Sequence, residues 1–191
     1  SEVMMKTSLE LTENDGDGRF CVGNHDLLEA VKGISEQPIT FDVDQNSNIA
    51  KISYQNGVFS LPVENADEFP QAQQIGDGAT TINIATGVLA ENINRSLFAK
   101  AQDELRPVMN GNIFDLTPDY LAVVASDGHK LVRNKVLNIH SEQPASFILP
   151  KKPATLLKNV LGKQGGDVVI RFDERNAEIN FEEGVIICRL I

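Results

Sequence analysis

The sequence predicts an α+β fold built from a repeated unit of helices and antiparallel strands, and three features of its 191 residues carry that expectation. An internal repeat relates residues 22–63 to residues 149–191. In each copy, apolar residues recur first at helical spacing and then alternate at strand spacing. Tight-turn signals, Asn56-Gly57 and Glu183-Gly184, fall before the last strand of each copy.

Taken in chain order, Leu27, Leu28, Val31 and Ile34 fall on one face of a helix that Gly33 closes. A strand ending at Val43-Asp44 and one holding Ile49, Lys51-Ile52 and Tyr54 follow. Residues 64–78 are polar, contain Pro70 and two glycines, and read as a linker. Residues 80–85 alternate like a strand. Leu89, Ile93 and Leu97 predict a helix over 86–101, with strands expected over 111–116, 120–125, 131–139 and 146–149. Leu156, Leu157, Val160 and Leu161 form the apolar stripe of a second helix, with Pro153 in its first turn and Gly162 at its end. The second copy closes on strands that match the first: Leu27-Leu28 with Leu156-Leu157, Val43-Asp44 with Phe172-Asp173, Tyr54 to Val58 with Phe181 to Val185. A full unit therefore holds two helices and about eight strands. The expected domains are residues 1–75, an incomplete first unit represented by its second half, and residues 79–191, a second unit short of its extreme end. The chain is accordingly expected to be a piece of a longer protein.

Composition narrows the function. The formal net charge of −10 argues against a general nucleic-acid binder, but the charge is unevenly placed. Residues 1–75 carry 4 Lys/Arg against 13 Asp/Glu, whereas residues 76–191 carry 13 against 14. No apolar run is long enough to cross a bilayer, and Ser1 to Lys6 does not resemble a secretory leader. A cytoplasmic location is expected, with Cys21 and Cys188 as buried reduced thiols.

Four ordered segments resemble one family. Leu105-Arg106-Pro107-Val108-Met109-Asn110-Gly111, Val124-Ala125-Ser126-Asp127-Gly128-His129-Lys130-Leu131 and Phe147-Ile148-Leu149-Pro150-Lys151-Lys152 are similar to signatures of the beta sliding clamp of bacterial DNA polymerase III. So is Phe59-Ser60-Leu61-Pro62 followed by Glu68-Phe69-Pro70. Ser126 stands where the family has Thr, Lys130 where it has Arg, and Met109 where it has Leu.

The resemblance implies a DNA clamp fold, with helices on the inner face of a ring and sheets on its outer face. It implies a processivity factor of the replicative polymerase rather than an enzyme, with no cofactor, no metal and no catalytic residue. Its expected partners are double-stranded DNA, bound without regard to sequence, and the polymerase and clamp-loader subunits, which dock through short linear peptides. The full-length protein is expected to form a homodimer ring. The residues expected to face DNA are Lys32, Arg95, Lys100, Lys151, Lys152 and Lys158, although helical counting sets Lys100 near an apolar stripe. The residues expected to line the partner-peptide pocket are Arg106, Met109, Ser126, Gly128, His129, Lys130 and Leu131. There, apolar side chains would form a wall and Gly128 would admit a backbone.

Competing signals are weak. Asp127 beside His129 suggests acid–base chemistry, but no nucleophile is spaced to join them, and three histidines make no metal cluster. Asn14-Asp15-Gly16-Asp17-Gly18 lacks the closing Glu of a calcium loop. Gly162 to Gly166 lacks the Lys-Ser/Thr order of a phosphate loop. Asn94-Arg95-Ser96 is a formal glycosylation sequon inside a predicted helix. The alternative function is a protein-interaction module of the same repeat that does not encircle DNA.

Overall fold

The computed structural model describes residues 3–101, 105–162 and 164–191. Its elements run β1 (Val3–Thr7), β2 (Phe20–Val22), α1 (Asn24–Lys32), β3 (Thr40–Asp44), β4 (Ile49–Tyr54), β5 (Gly57–Asn65), β6 (Thr80–Ala85) and α2 (Thr86–Ser96). They continue with β7 (Gly111–Leu116), β8 (Leu121–Ser126), β9 (Leu131–Val136), β10 (Ala145–Pro150), α3 (Lys151–Leu161), β11 (Asp167–Phe172), β12 (Asn176–Phe181) and β13 (Gly184–Arg189). Short 3-10 turns cover Ala66–Glu68, Leu97–Ala99 and Pro107–Asn110. The chain divides into two compact units, Glu10–Gln71 and Ala72–Ile191, the latter joined by the amino-terminal residues through Leu9.

The larger unit holds two antiparallel sheets, ordered β10-β7-β8-β9 and β1-β13-β12-β11-β6. Alternation explains β6: Ile82 and Ile84 are buried while Thr81 and Asn83 are exposed. Leu89 and Ile93 of α2 and Leu157 and Leu161 of α3 are also buried, so each helix turns its apolar stripe into the same core. A run of phenylalanines links the sheets. Phe114 of β7 stacks on Phe147 of β10 at 4.7 Å between ring centres, and Phe147 meets Phe172 of β11 at 4.4 Å.

In the smaller unit, one sheet ordered β2-β5-β4-β3 carries α1. Its core is modest: Ala30, Ile52 and Leu61, with Val22, Leu27, Ile34 and Phe59 packed around them. Leu28 and Val31, expected on the buried stripe of α1, are 52% and 38% exposed.

The repeat is visible as geometry. Two-residue loops join β4 to β5 and β12 to β13, with Tyr54 opposite Gly57 and Phe181 opposite Gly184. Each glycine thus lies one residue past the loop, in the strand; at Gly184 the close approach of a neighbouring backbone requires it, whereas at Gly57 the neighbour is a side-chain tip that can move. A β-carbon at Gly57 would lie 2.7 Å from the Tyr54 hydroxyl, and one at Gly184 would collide with the carbonyl of Lys6.

Several boundaries differ from expectation. β1 pairs with β13, Val3 opposite Cys188 through Thr7 opposite Gly184, so these residues join the larger unit rather than a 1–75 domain. The expected linker over 64–78 is shorter, because β5 continues through Asn65 and a 3-10 turn follows. β9 stops at Val136, short of residue 139. The helix expected over 86–101 is α-helical only to Ser96. There the Ser96 hydroxyl lies 2.8 Å from the Asn92 carbonyl and 3.0 Å from that of Ile93, and it accepts from the Asn112 amide. Such back-bonding competes with helix propagation. Cys188 is buried as expected, whereas Cys21 is half-buried, and both are free.

Candidate partner-docking and nucleic-acid interface

The exposed turn between β8 and β9 is held by a network of hydrogen bonds. One oxygen of the Asp127 carboxylate accepts from the backbone amides of His129 (2.9 Å) and Lys130 (2.7 Å), and its other oxygen meets Lys130 Nζ at 3.2 Å. The amides of Lys130 and His129 hold the Asp127 carboxyl down at about 2. The Ser126 hydroxyl donates to the Lys130 carbonyl and accepts from the Gly128 amide. Gly128 sits at φ +87°, the left-handed region that favours glycine.

Against this turn lies the loop that precedes β7. Arg106 Nη1 is 3.6 Å from the position a β-carbon would take at Gly128. The Met109 amide donates to the Arg106 carbonyl at 3.0 Å, and the Met109 carbonyl accepts from Ala101, also at 3.0 Å. Met109 is half-buried. Leu131 stands opposite Ser126 across the β8–β9 pair and is 69% exposed. The turn thus brings Ser126, Gly128, His129, Lys130 and Leu131 together with Arg106. Met109 is tied to Arg106 through the backbone.

Asp127 is not among the residues expected in the pocket, yet it organises the turn. The Asp-Gly pair is the sequence signal that identifies it. Among the described residues the Asp127 carboxylate meets the backbone amides of His129 and Lys130 and the Lys130 amine rather than the His129 ring, so the two side chains do not form a coupled acid–base pair. Among the described residues, no group of three or more His, Cys, Asp or Glu is placed to hold a metal.

Five of the six expected DNA-facing cations are solvent-accessible. Lys151 and Lys152 open α3 and are exposed, and Lys158 is half-buried on the same helix. No ion pair engages these three among the described residues. Arg95 is paired with Glu91 one helical turn away, and Lys32 with Glu29 at 3.3 Å.

Lys100 does not belong to this set. It is 8% exposed, its amine has no hydrogen-bond partner among the described residues, and burial, together with the like charge of Lys151, pushes it down to about 8. The physical reason is the early end of α2. Past the 3-10 turn, Lys100 takes an extended backbone at φ −84° and ψ 143° and is drawn under the surface instead of projecting from a helix.

Residues 83–191 match the family described as DNA polymerase III beta subunit, central domain. The beta sliding clamp of Pseudomonas putida is 26% identical over the whole chain, which covers 52% of that protein. Among solved structures, the DNA polymerase III beta subunit of Pseudomonas aeruginosa is 25% identical with a TM-score of 0.90, covering 100% of this chain and 52% of its own. The beta subunit of Thermotoga maritima is 27% identical with a TM-score of 0.86, covering 100% and 51%. The chain spans about half the length of the curated relatives it matches. No helix among the described residues is long and apolar enough to cross a membrane.

Proposed function

The chain belongs to the DNA polymerase III beta subunit family, and on that premise we propose that it is part of a ring-shaped sliding clamp that encircles duplex DNA and tethers other proteins to it. The observation that carries this reading is a likeness running the full length of the chain, with a TM-score of 0.90 to a beta subunit at 25% identity. The role is that of an accessory scaffold in the cytoplasm. On this reading its residues position and hold rather than perform bond chemistry.

A clamp must attract phosphates without locking onto bases. Lys151 and Lys152 suit that role, being exposed, unpaired among the described residues, and on a helix rather than in a concave pocket. Arg95 and Lys32 supply weaker attraction, since Glu91 and Glu29 offset part of their charge. The homodimer ring is proposed for the whole protein; this chain spans about half the length of its relatives.

Docking of partners falls to the β8–β9 turn. Leu131 and Met109 offer apolar surface, Gly128 leaves room for a partner's backbone, and Arg106 and Lys130 supply charge beside it. The partners proposed are polymerase and clamp-loader subunits that present short linear peptides.

Ring closure is tested by loading the whole protein onto a nicked circular plasmid and then linearising the DNA. A clamp stays on the circle in high salt and runs off the linear form. Equal retention on both, or none on the circle, would leave only the interaction-module reading.

A further inference from the structure

We propose that Asp173 is a positioning residue that latches the segment entering β6 to the turn between β11 and β12. Among the described residues, three turns are built around an aspartate that accepts backbone amides two or three residues ahead on one carboxylate oxygen. Asp44 accepts from Asn46, Asp127 from His129 and Lys130, and Asp173 from Arg175 and Asn176. The three differ in what the second oxygen does. In the Asp44 turn it accepts from the Ser47 hydroxyl at 2.7 Å, and in the Asp127 turn it pairs with Lys130 Nζ at 3.2 Å. Both bonds stay inside their own turns. The second oxygen of Asp173 instead accepts from the backbone amide of Gly76, 97 residues away, at 3.0 Å.

Gly76 opens the last bend before β6, where the Ala79 amide donates back to the Gly76 carbonyl at 3.3 Å. The latch therefore anchors, at Gly76, a stretch of the larger unit that has no strand or helix of its own, from Ala72 to Ala79. The Gly76 amide is also the largest influence holding the Asp173 carboxyl below its usual range, ahead of the two amides of its own turn. Asp44 and Asp173 occupy equivalent places in the repeat, so the two copies share the turn, and the latch is specific to the second. This bond biases the segment entering β6 to stay against the β11–β12 turn.

Asp173→Asn separates the two roles. An asparagine oxygen still serves Arg175 and Asn176, as asparagine commonly does in such turns, but its amino group cannot accept from Gly76. Amide hydrogen exchange on the full 191-residue chain is expected to speed up about tenfold at Gly76 in D173N, with Arg175 and Asn176 unchanged. Gly76→Ala keeps the amide, and its β-carbon would sit 3.7 Å from the Asp173 oxygen, an ordinary contact; this variant should keep the protection of the flanking segment. Unchanged exchange at Gly76 in D173N overturns the latch. A second readout needs no variant and covers the case in which D173N also loosens its own turn. In the unaltered chain, the Gly76 amide proton should shift with the same midpoint as the Asp173 side-chain carboxyl carbon during an acid titration. Independent behaviour of the two signals overturns the proposal equally.

Discussion

The guanidinium of Arg106 lies against Gly128, with Nη1 3.6 Å from where a β-carbon would be. Neither residue lies in a strand: Arg106 precedes the 3-10 turn that leads into β7, and Gly128 sits in the turn between β8 and β9. Gly128 is also held at φ +87°. A Gly128→Ala change therefore meets backbone strain as well as contact with Arg106. It should cost about 1 kcal/mol of stability and weaken peptide docking at least tenfold in fluorescence anisotropy. Gly165→Ala, where a β-carbon would meet nothing, serves as the comparison.

Asp127 makes the turn sensitive to acid. Its carboxyl is held at about 2, below the ordinary 3.8, so its contribution to stability is fully present above pH 4. That contribution fades as the pH falls through 2. Asp127→Ala should abolish this acid-dependent part of the melting curve, and Asp127→Asn should preserve most of the turn while removing its pH dependence.

Lys100 predicts a different trend, at high pH. The unfolded chain keeps this amine protonated up to about 10.5, whereas the folded chain releases the proton at about 8. The unfolded state therefore binds more protons between those values, and stability rises with pH across that window. Lys100→Met should stabilise the chain at pH 7 by about 3 kcal/mol, a gain that vanishes above pH 10.5. The same variant of the whole protein should bind DNA like the unaltered one.

Lys151 and Lys152 should behave differently. Replacing both by alanine in the whole protein should reduce the slope of log affinity against log salt by about 2 and leave the melting temperature within about one degree, since both side chains are exposed.

Much of this is legible in the sequence because periodicity reports burial directly. The repeat, β6 and α3 follow from apolar spacing alone, and Asp127-Gly128 announces its turn. The misses trace to interactions at long range. Nothing near Ser96 in the sequence reveals that Asn112, 16 residues away, bonds its hydroxyl where α2 ends, so apolar spacing sets Lys100 on a helix that stops short of it. The pairing of β1 with β13 joins residues more than 170 positions apart, and a short alternating segment carries no mark of its partner. Leu28 and Val31 obey helical spacing, yet in the smaller unit that face is only partly covered. At the β8–β9 turn, the sequence marks the turn itself, but the contact between Arg106 and Gly128 arises only once the loop before β7 has folded back.

A titration of the isotope-labelled chain with a short polymerase-tail peptide, followed by amide chemical shifts, tests the docking turn. The shifts should concentrate on Arg106, Met109 and the stretch from Ser126 to Leu131, and Leu131→Asp should erase them while leaving the rest of the spectrum in place. Shifts scattered over other strands, or a response that survives Leu131→Asp, would contradict the assignment of this turn as the site where partners bind.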